Sequence, residues 1–297
     1  MDNMKFPYPH DADPDIFGEA LAYSEATTGF TVTLIERDYY CSLILQYFFD
    51  ADTSLVFKGG TCLSKVHADF YRLSEDLDFI IPVPADKSRN QRRTEMKPIK
   101  RMFQELPTVI PGLTILEAFK GHNEARQYIA YLEYRSAMIE KQEKIKIEVG
   151  VREPLLSPSV SETARTIVFN PFTGRSLLPN FTVGAMTMRE AYAEKLRAAL
   201  TRKEPAIRDF FDLFHAVREI GLDTHDPEFL SMVRAKLKVP GNAPVDFSAE
   251  RKQDLDRQLE GQLKPVLRPA DFDRFNLDEA FELVCNMAEA ISDYQPS

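Results

Sequence analysis

Phe57-Lys58-Gly59-Gly60-Thr61-Cys62-Leu63-Ser64-Lys65 and, a short way on, Arg72-Leu73-Ser74-Glu75-Asp76-Leu77-Asp78-Phe79-Ile80-Ile81 are the stretches on which the fold of this 297-residue chain turns. The first continues an apolar piece, Leu55-Val56-Phe57, closes it with a glycine pair and opens into Cys62-Leu63-Ser64-Lys65-Val66, so it reads as strand, glycine turn, helix. The second reads as a strand over residues 76–81, stopped by Pro82. Successive strand side chains point to opposite faces, so Leu77, Phe79 and Ile81 take the buried side while Asp76 and Asp78 share the other, their α-carbons roughly 6.6 Å apart.

Two carboxylates at that spacing suit Mg2+, a hard ion that takes oxygen ligands and is usually held by one or two carboxylates together with the phosphates of its substrate. Alone the pair is a weak signal, because aspartates at a strand end more often form a solvated edge. A third acid strengthens it. Residues 128–134 and 144–149 read as further strands, and in the latter Ile145, Ile147 and Val149 point one way while Lys144, Lys146 and Glu148 point the other. Glu148 is then a candidate third metal ligand, and a salt bridge to Lys144 or Lys146 is the plain alternative. Three acids on adjacent strands could hold two ions about 3.5–4 Å apart. The Gly59-Gly60-Thr61 turn at a helix start would offer backbone N–H groups to an anion, although most such turns are only turns, and the spacing is not that of a Walker loop.

The rest of the chain falls around these pieces. Residues 33–50 read as a helix over one sheet face, with Tyr39, Leu43, Tyr47 and Phe48 near helical spacing. Residues 153–184, rich in Pro, Ser and Thr, read as loops and edge strands, with Ile167-Val168-Phe169 and Phe181-Thr182-Val183 as the apolar pieces. Helices take over beyond. Thr187 and Glu190 form a capping-box pattern for a helix over 188–201, and Pro205 suits the first turn of another, on which Ile207, Phe210, Phe211, Phe214 and Val217 share a face. Asp209 and Asp212 share the side opposite the phenylalanines, where at least one is expected at a cleft. Residues 272–291 read as a final helix.

Composition narrows the class. An apolar share of 44% with 28% charged residues is that of an ordinary globular chain, and the length favours two packed units. Cys41, Cys62 and Cys285 lie far apart, without the spacing of a disulfide framework or a zinc site, which fits a reducing cytoplasm. No stretch approaches the roughly 20 apolar residues of a membrane span, and residues 1–15 do not look like an export signal. His67, His122 and His215 show no triad or ligand spacing. The net charge of −9 argues against a general nucleic-acid coat. Against that average, Lys87, Arg89, Arg92, Arg93, Lys97, Lys100 and Arg101 face only Glu95 in one segment, read either as a solvated helix face or as a patch for RNA.

Taken together, Phe57 to Lys65 and Arg72 to Phe79 resemble the AbiEii/AbiGii toxin family of nucleotidyltransferases, within the DNA polymerase β superfamily. The likeness extends to Glu36-Arg37-Asp38-Tyr39, Lys146-Ile147-Glu148, Ala193-Glu194-Lys195-Leu196 and Arg208-Asp209-Phe210-Phe211-Asp212-Leu213, in order. It implies an α/β fold: a polymerase-β-like domain with a mixed central sheet over 1–183, and a C-terminal helical domain over 184–297 that closes the active-site cleft. It implies further a toxin with a cognate antitoxin, transferring a nucleotide from a nucleoside triphosphate to RNA, foremost tRNA, and so blocking translation. Mg2+, or Mn2+ in its stead, would lie on Asp76, Asp78 and Glu148. Gly59, Gly60, Thr61, Ser64 and Ser74 would line the triphosphate, Lys195 would reach a phosphate across the cleft, and Asp212 would complete the site. The third acid is glutamate where aspartate is also common, and the spacing from Gly60 to Asp76 is longer than in many relatives. Transfer to a protein or small-molecule hydroxyl, and a binding module without catalysis, are the other readings.

Overall fold

The computed structural model describes residues 8–51, 53–239 and 241–293, so the ends of both expected domains, 1–7 and 294–297, lie outside the described residues. The chain divides into two compact units: the described residues up to Leu155 with Ser159–Met186, and Leu156–Pro158 with the described residues from Thr187 onward.

In the first unit, helices α1 (Pro9–Ala12), α2 (Pro14–Thr28) and α3 (Val32–Asp50) precede β1 (Val56–Lys58) and α4 (Gly59–Cys62). The α4 backbone runs straight on into a wider helical turn, Leu63–His67, so Gly59 and Gly60 are its first turn and no loop separates them from it. Then follow β2 (Leu77–Ile80), α5 (Arg89–Val109), β3 (Leu113–His122), β4 (Gln127–Arg135), β5 (Gln142–Gly150), β6 (Val160–Ala164) and β7 (Phe181–Ala185). They form one sheet in the order β3-β4-β5-β2-β1-β7-β6. β2 runs parallel to β5 and β1 to β7, the other pairings being antiparallel, which makes the mixed sheet expected of the fold class.

The period-2 pattern decides which face is core. Leu77 and Phe79 on β2 and Ile145, Ile147 and Val149 on β5 are buried on one side. Phe48 of α3 meets Phe79 with ring centroids 5.8 Å apart, and Phe103 of α5 meets Phe119 of β3 at 4.8 Å, so α3 and α5 both cover this face. Asp78 and Glu148 are left on the opposite, polar face.

Several expectations shift. Asp76 lies just before β2 and is not part of the strand. Residues 9–12 and 14–28, to which the sequence reading gave no element, are helical: Pro14 takes the first position of the second helix, Asp13 Oδ1 accepts from Ile16 N at 3.1 Å, and Gly29, at φ 76°, ends it. β3 escaped the reading because register shifts between Ile115, Glu117 and Lys120 spoil its alternation. The apolar piece at 167–169 gives only a bridge from Phe169 to Ser176, whereas the polar edge strand β6 pairs with β7 alone.

The second unit is helical among its described residues: α6 (Met188–Thr201), α7 (Ile207–His215), α8 (Pro227–Leu237), α9 (Ala249–Asp256), α10 (Pro269–Arg274) and α11 (Leu277–Asp293). The capping box on α6 is half made. Thr187 Oγ1 accepts from Glu190 N at 3.3 Å, but the Glu190 carboxylate instead accepts from Leu156 N and Ser157 N, at 3.0 and 2.9 Å, and pairs with Lys236 at 2.7 Å. α7 begins after Pro205, whose carbonyl accepts from Gln258 Nε2 at 2.8 Å. The expected final helix is two, because the Asn276 carboxamide caps a fresh start by accepting from Asp278 N at 2.9 Å and Glu279 N at 3.2 Å.

One buried ion pair pins α3 to the turn after α4: Lys65 Nζ lies 2.7 Å from both oxygens of Asp38, and both side chains are essentially inaccessible. Removing one partner strands the other charge, which costs more than losing both. Lys65→Met is expected to lower unfolding stability in urea by about 3–5 kcal/mol, and Lys65→Met with Asp38→Leu to recover most of it. A single variant within 1 kcal/mol of wild type would show that the pair carries no such weight.

Candidate active site

The polar face carries one row of residues in register. Lys58 on β1 stands opposite Asp78 on β2, Asp78 opposite Glu148 on β5, and Glu148 opposite Ile129 on β4. Adjacent strands are about 4.8 Å apart, so two carboxylates face the same space. Burial and then the charges of Glu148 and Asp76 push the Asp78 pKa up to about 6, against the partial relief of Lys58 and Lys146. Glu148 behaves oppositely. Burial works to raise its pKa, but Lys146 Nζ at 2.9 Å from Oε2 and Gln127 Nε2, donating to Oε1 at 2.6 Å, hold it below the usual range. The salt bridge expected as the alternative for Glu148 is thus present, made by Lys146.

The glycine turn lies directly against these acids. Gly59 has φ 77°, and a Cβ there would stand 2.3 Å from Asp78 Oδ2, so a side chain could not be added without moving the carboxylate. A Cβ on Gly60 would stand 2.5 Å from Arg72 Nη2 and 3.1 Å from Ser74 Oγ. Two of the three hydroxyls expected at the triphosphate are turned to the chain itself: Thr61 Oγ1 donates to Asp76 O at 2.5 Å and Ser64 Oγ to Arg72 O at 2.6 Å, both side chains buried. Arg72 is buried and donates to Leu73 O at 3.0 Å, while Arg37 bridges Glu75, at 2.5 Å, and Glu143. Residues 72–76, which no ladder holds, are therefore braced from below by hydroxyls and arginines.

Lys195 and Asp212 come together within the second unit, in a manner the sequence did not suggest. Lys195 Nζ lies 2.8 Å from Asp209 Oδ1 and 2.8 Å from Asp212 Oδ2, and Arg202 lies 2.9 Å from Asp209 Oδ2. Both aspartates are buried. Burial works to raise the Asp209 pKa, and the charges of Lys195 and Arg202 outweigh it and bring it down.

The basic segment divides. Arg92 is buried and donates to Ala85 O at 3.2 Å, Lys87 pairs with Glu95, and Lys100 lies over the Tyr128 ring at 4.9 Å, while Arg89, Arg93, Lys97 and Arg101 are exposed on α5. Tyr128 pairs with Val149 and so lies on the core face, with α5 above it. The exposed basic residues consequently belong to the side of the sheet away from Asp78 and Glu148.

Oxygen donors with more negative charge than their neighbours neutralise, one of them packed closely against Gly59, fit a divalent cation in chemistry. As they stand, no three His, Cys, Asp or Glu side chains among the described residues are grouped as a cation shell, and both oxygens of Glu148 are engaged by Lys146 and Gln127. Lys58, Lys146 and Gln127 are the site residues the motif reading did not name, although alternation already put Lys146 on the Glu148 face.

A mixed sheet bearing opposed acids beside a glycine turn, joined to a helical unit, is the architecture of a nucleotidyltransferase. The chain matches the family described as "Nucleotidyl transferase AbiEii toxin, Type IV TA system" over residues 44–284, and it belongs to that family. It is therefore a nucleotidyltransferase of the toxin class, and membership brings a nucleoside triphosphate as substrate and an antitoxin as partner. In fold it is similar to the crystal structure of JHP933 from Helicobacter pylori, with a TM-score of 0.50 at 17% identity over 88% of this chain and 93% of that one. A second H. pylori structure, described as a candidate nucleotidyltransferase, gives 0.49 at 18% identity over 87% and 94%. No curated protein sequence matches the chain significantly. Among the described residues no helix is long and apolar enough to cross a membrane.

Two stability measurements probe these charges. The Asp78 carboxyl binds its proton more tightly folded than unfolded, so its ionisation carries a penalty that is absent below pH 3.8 and complete above about pH 6. Chelator-treated Asp78→Asn is expected to be about 2 kcal/mol more stable than wild type at pH 7 and equal to it near pH 4; equal stability at both values would show that the acids do not oppose one another. Lys195→Met leaves two buried carboxylates with less compensation and is expected to cost about 3–5 kcal/mol. A melting temperature unchanged by that substitution would make Lys195 a group poised for a ligand instead of a structural cation.

Proposed function

We propose that the chain transfers a nucleotide from a nucleoside triphosphate to an RNA hydroxyl, with the tRNA 3′ end foremost, using Mg2+, or Mn2+ in its stead, on Asp76, Asp78 and Glu148. The observation that carries the metal reading is the opposition of Asp78 and Glu148 in register, with Gly59 against the Asp78 carboxylate. In the reaction the acceptor oxygen bonds to the α-phosphorus, the bond from that phosphorus to the bridging oxygen of the β-phosphate breaks, and pyrophosphate leaves with that electron pair. A divalent cation on the three acids would supply the positive charge that makes the hydroxyl a better nucleophile and pyrophosphate a better leaving group.

The chain's own contribution is positioning. Gly59 and Gly60 let the Asp78, Arg72 and Ser74 side chains close in on the turn, along which the triphosphate would lie. Thr61, Ser64 and Ser74 act from behind: the first two hold the backbone of Asp76 and Arg72, and Ser74 lies against Gly60. Phosphoryl transfer draws on such placement and on charge. For Lys195 and Asp212 the roles of phosphate contact and completion of the site rest on the family resemblance, as does closure of the site by residues 184–297.

The face bearing the basic residues of α5 favours keeping a second reading. Arg89, Arg93, Lys97 and Arg101 lie away from the acids, so they would meet only an acceptor long enough to pass around the sheet, and a small-molecule or protein hydroxyl would need none of them. Incubation with each labelled triphosphate and total RNA is expected to label RNA 3′ ends, and Asp78→Ala to abolish both labelling and growth arrest with the melting profile kept. Arg93→Glu with Lys97→Glu is expected to lower RNA labelling severalfold and to flatten its salt dependence. Label on protein or small molecules alone would replace RNA by the second reading, and growth arrest undiminished in Asp78→Ala would remove the enzymatic mechanism.

A further inference from the structure

Both oxygens of Glu148 are already in use. Lys146 Nζ lies 2.9 Å from Oε2 and Gln127 Nε2 donates to Oε1 at 2.6 Å. Lys146 precedes Glu148 by two residues on β5, so alternation sends both side chains to the polar face, and the ammonium has little choice of neighbour. It is half-buried, with 29% of its side chain exposed, and it feels Asp78 and Asp76 as well as Glu148. Lys58 adds a second positive charge from β1 that acts on both Asp78 and Glu148. An ammonium and a divalent cation on one carboxylate oxygen repel each other and compete for the same negative charge.

Resting on the metal reading proposed above, we infer that Lys146 is the resident counter-ion of the acidic site: it positions Glu148 in the cation-free protein and must leave Oε2 before that acid can join a divalent cation. The affinity for a free cation is thereby held down. Binding becomes favourable when the cation arrives with a triphosphate, whose negative charge offers the displaced ammonium a new partner. Gln127 keeps its hold on Oε1 throughout, so Glu148 need only exchange one of its two contacts. Lys146 acts here as a positioning residue that sets cation affinity and its coupling to nucleotide.

Calorimetric titration of Mg2+ into the chelator-treated full chain, without nucleotide, reads this directly. Lys146→Gln, which removes the charge and keeps a polar side chain, is expected to bind Mg2+ about tenfold more tightly than wild type. Lys146→Arg, which keeps the charge, is expected to stay at the wild-type affinity. The tightening of Mg2+ by a nonhydrolysable triphosphate is expected to be smaller in Lys146→Gln than in wild type. Unchanged or weaker Mg2+ binding by Lys146→Gln, with binding lost in Asp78→Asn, would overturn the role of Lys146 and leave the metal reading standing. Binding that Asp78→Asn does not alter, or no binding by any variant, would overturn both.

Discussion

Two like charges held opposite one another on parallel neighbours are the constraint around which the first unit is built. Asp78 and Glu148 cannot separate, because the β2 to β5 ladder fixes Leu77 to Ile147 and Phe79 to Val149 on either side of them, and those four are core residues. A slip by one residue would relieve the acids and turn the entire apolar set outward. Burial of the far face by α3 and α5 therefore enforces the repulsion on the near one. The chain answers with charge, Lys58 at the end of β1 and Lys146 on β5, but burial first and then the charges of Glu148 and Asp76 outweigh them and keep the proton affinity of Asp78 raised. Such unresolved charge is how a ligand site differs from a structural ion pair like Lys65 with Asp38, where the count closes.

The same distinction sorts the remaining polar side chains. Thr61 and Ser64 spend their hydroxyls on Asp76 O and Arg72 O, and Arg37 spends its guanidinium on Glu75 and Glu143. These bonds hold a stretch without regular structure, in which an unbraced Asp76 would wander relative to Asp78. Lys195, Arg202, Asp209 and Asp212 balance two positive charges against two negative, in a largely buried cluster. A group already compensated in this way contributes first to the stability of its own unit, and any role toward phosphate has to be added to that one.

What the sequence made legible followed from local periodicity. The alternation at 77–81 and 145–149 separates core from polar face correctly, because side-chain direction in a strand depends only on position along it. The helix at 188–201 and its Thr187 cap were readable for the same reason. Register was not, since it joins residues distant in the chain, and neither was the direction of a hydroxyl, which is settled by whichever carbonyl comes within reach. Asp209 and Asp212 are buried although their polarity alone suggests exposure, and Lys195 and Arg202 supply the compensation that permits it. β3 was hidden by its own irregularity, and the N-terminal helices by prolines that sit where a first turn tolerates them.

The charge run at 87–101 shows where a compositional argument stops. On α5, Met96, Ile99, Phe103 and Leu106 face the core, which obliges the remaining positions to be polar whatever they bind. Lysine and arginine there satisfy solubility, and one of them, Arg92, is used to fasten Ala85. The polar face of the sheet offers a more selective signal. Along the row from Lys58 through Asp78 and Glu148 to Ile129, and on to Lys120 on β3, cations flank the acids at both ends, with Lys120 tied to Glu117 at 2.7 Å. Register alone sets this order, with the apolar Ile129 standing between Glu148 and Lys120.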